Sequence, residues 1–471
     1  MRLHEQFIKN ALPEASMINS INDEAPEFSI DSRTIAAGNI FVAIKGARND
    51  GHNFLQQAVE RGARGIIIDQ QEQGRLTALR TYIDKGLCVI LVPQTVTALM
   101  QLAAAWRAQF EYPVIGITGS VGKTTTCSLI RTILTNAGKT VVSPIANYNS
   151  LIGVALTLLR MRTTHQIALI EMGINKRREM AQLAHMARPT TALITSVGHA
   201  HMEGLGSIAD VAAEKRDIFK FFKPHNIGII NGDQPLLASV SYTHPVIKFG
   251  LKTTNQVQAR KIVHGSESTS FTLKMYGKKY PITLPSNHIS AVFNSLAAAT
   301  VAYHMQVPVE VIVRTIQEFV VIAGRNEKRK IVQGKGLVIN DCYNANPESM
   351  KAALLSFEKY ETKGNKIAVL GDMLELGIGS PFWHRQVGRF LRKAPSIGRV
   401  ILVGTHMQET LKEVQKAKPL GFAVEHVPTW QEALKKLATL LNDDTVVLVK
   451  GSKAVGLNNI VEAITEKPAY P

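Results

Sequence analysis

Cysteine is scarce in this sequence: Cys88, Cys127 and Cys342 are the only three in 471 residues, odd in number and far apart. That pattern excludes a disulfide framework and a cysteine-rich metal knuckle, and it reads as three buried thiols. Long apolar runs are missing too, since no stretch approaches the ~18 residues of a membrane span. The N-terminus, MRLHEQFIKNALPEAS, mixes charge with apolar residues where a signal peptide would carry an apolar core. A chain that stays in the cytoplasm, without membrane insertion, is the expectation. Aromatic residues make up only 6%, and the basic residues are scattered, with no arginine-rich tract. The formal charge of +17 therefore suits anionic partners such as nucleotides or a phosphorylated substrate. Nucleic acid is not expected, because the aromatic platforms for base stacking are few.

What is present is an ordinary globular composition, 45% hydrophobic, over a length that suggests about three domains. Three sections differ in texture. Residues 1–93 hold FSIDSRTIAAGNIFVAIKGARNDGHNFLQQAVERGARGIIID, short β-type runs with Gly and Asp turns and one amphipathic helix pattern. Residues 94–324 open with the helical TALMQLAAAWRAQF and then alternate helices with the apolar runs PVIGITG, HQIALIEMG, TALITSVG and NIGIING. Runs this rich in Val, Ile and Leu predict parallel strands covered on both faces. Residues 325–471 repeat the alternation with GLVIND, KIAVLGD, RVILVG and TVVLVKGS, the pattern of a second, doubly wound domain. The fold class read from this pattern is α/β in three domains: a small N-terminal α/β unit, a central domain with a mainly parallel sheet, and a Rossmann-like C-terminal domain.

In open parallel sheets ligands bind beyond the carboxyl ends of the strands. Gly119, Glu171, His199, His201, Asp233, Asp341, Asp372 and Lys450 all fall just after apolar runs. The stretch ITGSVGKTTT, residues 117–126, follows one such run and opens a helix whose Leu129, Ile130, Ile133 and Leu134 form an apolar stripe ending at Gly138. This is the strand, loop and helix setting of a phosphate-binding loop. Gly119, Ser120, Val121 and Gly122 allow close backbone approach, and Lys123 supplies charge to the outer phosphates. The Thr124 hydroxyl suits magnesium, and Thr125 completes the turn. The strict spacing would place a first glycine at position 117, where the chain has Ile, so the loop is the variant T-G-x-x-G-K-T-T found in a narrower set of ATPases. Glu171, closing IALIE, stands where a second magnesium-holding acid is expected.

These residues resemble the Mur ligase family. The likeness runs through DSRTIAAGNIFVAIKGARNDGH, TGSVGKTTT, EMG, AHMEGLGS, NDCYNANPESMKAAL, VLGDMLELG and VKGS, and so covers nearly the whole chain. YNANP and GDMLELG are similar to the family member that joins a D-alanyl-D-alanine dipeptide to UDP-N-acetylmuramoyl-tripeptide. The resemblance implies a first domain gripping the sugar nucleotide, a central ATPase and a mobile third domain closing over both, in a monomeric chain. It implies that Ser32, Arg33, Lys45 and Gly46 meet the sugar nucleotide and that Asn147 and Asn149 meet its muramoyl-peptide portion. Two magnesium ions would be shared among Thr124, Glu171, His201 and Lys215, the last after carbamylation to a carboxylate. Asn294 would hold the adenine, Arg325 and Asp341 would reach the nucleotide from the third domain, and Tyr343, Asn344 and Asn346 would form the dipeptide side. Lys123, His201, Lys215 and Arg325 would then carry catalysis by neutralising an acyl-phosphate-forming reaction.

Other readings of the same residues stay open at this point. A sister enzyme such as folylpolyglutamate synthase shares the loop, though it should lack YNANP and GDMLELG. A basic P-loop motor acting on nucleic acid predicts ATP turnover stimulated by DNA or RNA. A nucleotide-sensing scaffold predicts ATP binding without phosphate release.

Overall fold

The computed structural model describes residues 2–466 apart from 25, 26, 48, 321, 333, 335 and 417–420. Its described strands form three larger sheets that follow one another along the chain, besides a two-stranded ribbon near the N-terminus. In the first, Ser16–Ile18, Cys88–Val92, Gly65–Asp69, Ile40–Val42 and Phe28–Ser29 lie side by side in that order. Its strands are parallel except for Ser16–Ile18, which runs against Cys88–Val92.

The second sheet is built around Val114–Thr118, flanked by Ile167–Glu171 and Thr191–Ile194, all buried on both faces. From there it runs outward through Val141–Val142 on one side and Ile227–Asn231, Val246–Gly250 and Val257–His264 on the other, all parallel. An antiparallel meander, Thr269–Met275 and Lys278–Leu284, completes it. The apolar runs in the sequence anticipate the parallel part. The meander follows a different rule, alternating buried and exposed residues along Thr269–Met275, because only one of its faces is packed.

The third sheet orders Glu327–Lys330, Leu337–Asn340, Val446–Lys450, Lys366–Gly371, Arg399–Val403 and Ala423–Val427, parallel but for the first strand. In the second sheet the chain leaves Val114–Thr118 in two directions, to Ile167–Glu171 on one side and Thr191–Ile194 on the other, which opens a crevice at that switch point; in the third, the last strand Val446–Lys450 returns to lie between Leu337–Asn340 and Lys366–Gly371.

The apolar clusters show how the parts are joined. One cluster runs without a break from Leu3 and Ile8 of the first unit through Trp106 to Ile170 and Ile230 of the second. The helix Thr95–Arg107 carries it, with Trp106 packed edge-on to Phe7 at 5.7 Å. The clusters of the third unit are drawn wholly from residues 331–464. Among the described residues, its links to the rest include a series of polar contacts: Lys328 to Glu267, Tyr360 to Glu267, Ser356 to Asn287, and the histidine pairs taken up next.

Candidate active site

The helix Lys123–Asn136 starts directly from the central strand through Gly119 and Gly122, with φ of 152° and 88°. Gly122 is in the left-handed region that favours glycine. A side chain there would also collide with Asn294, whose Oδ1 lies 2.4 Å from where a Cβ would sit. Asn294 is thereby pressed against the loop, and it accepts a hydrogen bond from Thr126 Oγ1 at 3.3 Å. The helix bearing it, Ile289–His304, is started by His288, whose Nδ1 accepts from the Ser290 backbone N–H.

Ser120 exchanges hydrogen bonds with Gly198, Oγ to O at 3.0 Å and N to Oγ at 2.9 Å, which ties the loop to the strand end beside it. Lys123 is half-buried and donates to the Gly119 carbonyl at 2.7 Å. Desolvation lowers its ammonium below the usual lysine range, with Glu171 acting the other way. Thr124 Oγ1 donates to Glu171 Oε1 at 3.0 Å, and Asn149 Nδ2 donates to the same oxygen at 2.8 Å. The acid, the hydroxyl and the amide thus converge at the end of two neighbouring strands.

From the third unit, Arg325 donates through Nη2 to Thr124 Oγ1 at 3.2 Å while its guanidinium stacks on Tyr343 at 3.8 Å. Its Nε is buried without a hydrogen-bond partner among the described residues. His201, at a left-handed φ of 57°, pairs through Nδ1 with Glu375 at 2.5 Å. Asp341 is held by Lys450 at 2.6 Å and by the Asn326 N–H at 3.2 Å. Asn346 caps the helix Pro347–Glu358, its Oδ1 accepting from Ser349 N at 2.8 Å.

A cavity of about 670 Å³ joins these groups. Its walls include Ser120, Val121, Gly122, Lys123, Thr124, Thr125, Asn147, Asn149, Glu171, His201, Asn294, Arg325, Asp341, Tyr343, Asn344 and Asn346. Most of the sequence-derived residues of the middle and third sections therefore come together; His199, Asp233 and Asp372 do not line the cavity, and two further residues stand apart from it. Gly119 lies behind the loop's surface. Lys215, in the last turn of the helix Ile208–Arg216, is 1% exposed and lines no part of the cavity, and its ammonium makes no hydrogen bond or ion pair with any described residue. Burial drives its ammonium well below the ordinary lysine range, and the charge of Lys123 pushes the same way.

Ser32, Arg33, Lys45 and Gly46 lie elsewhere, in the first unit. Ser32 is buried and donates to Gln57 at 2.6 Å, Arg33 is exposed and paired with Asp31, and the Gly46 N–H donates to the Asn49 carbonyl at 2.9 Å. Lys45 forms an isolated β-bridge with Asp50. Two acids singled out by their place after strands hold backbone N–H groups of later segments instead. Asp233 accepts from the Leu251 and Lys252 N–H groups, and Asp372 from that of Met407.

Sequence reasoning missed the residues that bridge the second and third units. Glu348 receives the His199 N–H on both oxygens and its Nδ1 at 2.6 Å, and Trp383 packs on the same imidazole at 4.2 Å. Glu375 was visible only as part of GDMLELG, and its partnership with His201 spans 174 positions.

As to metal, the described residues contain no group of three or more His, Cys, Asp or Glu side chains that could hold an ion. The donors present, a hydroxyl and a carboxylate beside a phosphate loop, fit magnesium, which takes one or two protein oxygens and completes its shell with phosphate and water.

Three family models match along the chain: the Mur ligase family catalytic domain over residues 27–107, the Mur ligase middle domain over 117–302 and the Mur ligase glutamate ligase domain over 324–453. The chain is 33% identical over 442 residues to the UDP-N-acetylmuramoyl-tripeptide–D-alanyl-D-alanine ligase of Bacillus subtilis, covering 93% of each. To the enzyme of that name from Escherichia coli it is 32% identical, again over 93% of each. Among solved structures, MurF from Acinetobacter baumannii superposes with a TM-score of 0.84 at 27% identity, over 99% of both chains. The MurF ligase of Thermotoga maritima in complex with ADP gives 0.77 at 25%, over 93% of this chain and 96% of that one. With a phosphate loop, a carboxylate beside it and residues of the third unit in one cleft, and with these relatives matched from end to end, the chain belongs to the Mur ligase family.

Proposed function

We propose that the protein is an ATP-dependent amide ligase that adds D-alanyl-D-alanine to UDP-N-acetylmuramoyl-tripeptide, giving the UDP-muramoyl-pentapeptide precursor of peptidoglycan, ADP and phosphate. The observation that carries this reading is the single cavity in which the phosphate loop of the second unit meets the Tyr343–Asn346 loop of the third. A simple ATPase needs only the former.

The chemistry follows from the poor leaving ability of a carboxylate oxygen. The tripeptide's terminal carboxylate attacks the γ-phosphorus of ATP, so a new O–P bond forms as the bond to the ADP oxygen breaks. The dipeptide amine then attacks the acyl carbon, and the C–O bond to phosphate breaks as the amine loses its proton. Lys123 offsets charge on the outer phosphates, and Arg325, braced on Tyr343, reaches the same place from the third unit. Asn294, pressed on Gly122, would hold the adenine. Asn147 and Asn149 line the side from which the tripeptide arrives, and Asn344 and Asn346 the side from which the dipeptide arrives. Ser32, Arg33, Lys45 and Gly46 would hold the uridine nucleotide in the first unit. Pairing of His199 and His201 with third-unit carboxylates keeps water from an acyl phosphate that hydrolyses readily.

Thr124 and Glu171 would hold magnesium, with His201 beside them; when bound, the ion neutralises the anionic oxygens crowded there. Lys215 is proposed to be carbamylated. Its burial and lowered basicity favour the neutral amine that adds to carbon dioxide, releasing a proton and leaving a carboxylate that removes the repulsion from Lys123.

The test is a phosphate-release assay with ATP and magnesium, offering each UDP-muramoyl-peptide with and without D-alanyl-D-alanine. Phosphate release that requires both partners is the expected result; release without the dipeptide, or stimulated by nucleic acid, would overturn it.

A further inference from the structure

We infer that Lys453 is the residue that receives the carboxylate end of the incoming dipeptide and so sets the requirement for a free acid there. This inference rests on the ligase reading above. Four lysines and arginines line the cavity: Lys123, Arg325, Lys450 and Lys453. Three are committed. Lys123 donates to the Gly119 carbonyl, and Arg325 to Thr124. Lys450 is spent on Asp341 and the Asn344 carbonyl, and is 1% exposed. Lys453 is exposed, its ammonium makes no hydrogen bond or ion pair with any described residue, and it stands 5.8 Å from the centre of the Tyr343 ring.

The cavity's carboxylates are equally committed, so none of them answers Lys453. Glu171 takes Thr124 and Asn149, and Glu179 the N–H groups of Asn175 and Lys176. Asp341 takes Lys450, and Glu375 takes His201. A dianionic or zwitterionic substrate entering this wall meets one uncommitted cation.

Its position suits the far end of a dipeptide. The reacting amine must approach the loop where Lys123 and Glu171 meet, and an extended dipeptide carries its carboxylate roughly 7 Å beyond its amine. Lys453, exposed and lining the same cavity, suits that outer end. The segment that carries Lys453 is fixed rather than loose. Ser452 Oγ accepts from Leu374 N at 2.9 Å, Ser452 N donates to the Asp372 carbonyl at 3.0 Å, and Val455 N returns to the Ser452 carbonyl at 2.9 Å. The ammonium therefore works from an anchored backbone, which lowers the entropy lost on gripping an anion.

The experiment compares D-alanyl-D-alanine with its C-terminal amide in the full enzyme, using wild type, Lys453→Met and Lys453→Arg. A charge-assisted contact of this kind predicts that amidation costs the wild type roughly 10–100-fold in kcat/KM, chiefly through KM. Lys453→Met should treat the acid and the amide within about threefold of each other, at unchanged KM for ATP and for the UDP-tripeptide. Lys453→Arg should restore most of the preference for the acid. A Lys453→Met enzyme that keeps the wild-type penalty for amidation would overturn the assignment, and so would an Arg variant as indifferent as the Met variant. If wild type fails to ligate D-alanyl-D-alanine to any UDP-muramoyl-peptide, the ligase reading itself falls, an outcome distinct from either result on Lys453.

Discussion

His199 and Glu348 meet across two units of the chain: the imidazole Nδ1 lies 2.6 Å from one carboxylate oxygen, and the His199 N–H donates to both oxygens at 3.1 Å. The contact is close because residue 198 is glycine. A Cβ there would stand 2.8 Å from the Glu348 carboxyl carbon. Gly198 in turn exchanges two hydrogen bonds with Ser120 of the phosphate loop. Docking of the third unit is thus two hydrogen-bonded steps from the phosphate loop.

Glu348→Ala should therefore lower kcat roughly tenfold while leaving the KM for the UDP-tripeptide unchanged, since the charge-assisted contact that is lost joins the second and third units and touches no substrate. Steady-state kinetics with each substrate varied in turn checks this. A rise confined to the UDP-tripeptide KM would show that Glu348 serves binding and not closure.

Lys123→Ala should abolish turnover and leave UDP-sugar binding intact by calorimetry. The lysine sits in the phosphate loop, whereas Ser32 and Arg33 belong to a different sheet region.

Gly122→Ala should weaken ATP binding at least tenfold. The substitution forces a Cβ into a left-handed backbone position, about 1–2 kcal/mol by itself, and drives it against Asn294. Titration with a non-hydrolysable ATP analogue measures the change.

Lys215→Ala should be inactive and regain part of its activity when a short carboxylic acid such as acetate is added to fill the space of the carbamate. A wild-type enzyme prepared with ¹³C-bicarbonate should show a carbamate carbon signal absent from the variant. No signal and no rescue would leave Lys215 as a buried amine only.

Acid should loosen the GDMLELG loop through His384. Its ring is fully buried, donates from Nδ1 to the Ser380 carbonyl at 2.8 Å and accepts the Met373 N–H at Nε2. Burial holds its pKa below the ordinary 6.5, with the Ser380 bond opposing. The unfolded chain binds the extra proton first, so the stability contributed by the neutral ring is complete above pH 6.5 and is lost as pH falls from there toward the folded value. Thermal unfolding between pH 8 and 5 should show a shallower decline for His384→Gln than for wild type.

Much of this site was legible because it is written locally. The phosphate loop announces itself by glycines between an apolar run and a helical stripe, and Asn346–Pro347 signals a helix start by capping chemistry alone. Glu171 was readable as the polar end of IALIE. The cross-unit pairs were not, because nothing in the neighbourhood of Glu348 or Glu375 indicates a histidine 149 or 174 positions away. The same local rule misjudged Asp233 and Asp372. An acid after a strand serves backbone N–H groups as readily as a ligand, and only the chain around it decides. Lys453 was overlooked for the opposite reason: its significance lies in the partners that its neighbours have and it lacks.

The seam between the third unit and the rest is rich in polar groups, whereas the first two units share one continuous apolar core. Groups such as these find substitute partners in water when they separate, so parting them exposes little oily surface and costs little. The first two units, by contrast, could part only by tearing an oily core, so if any seam of this molecule yields it is the polar one.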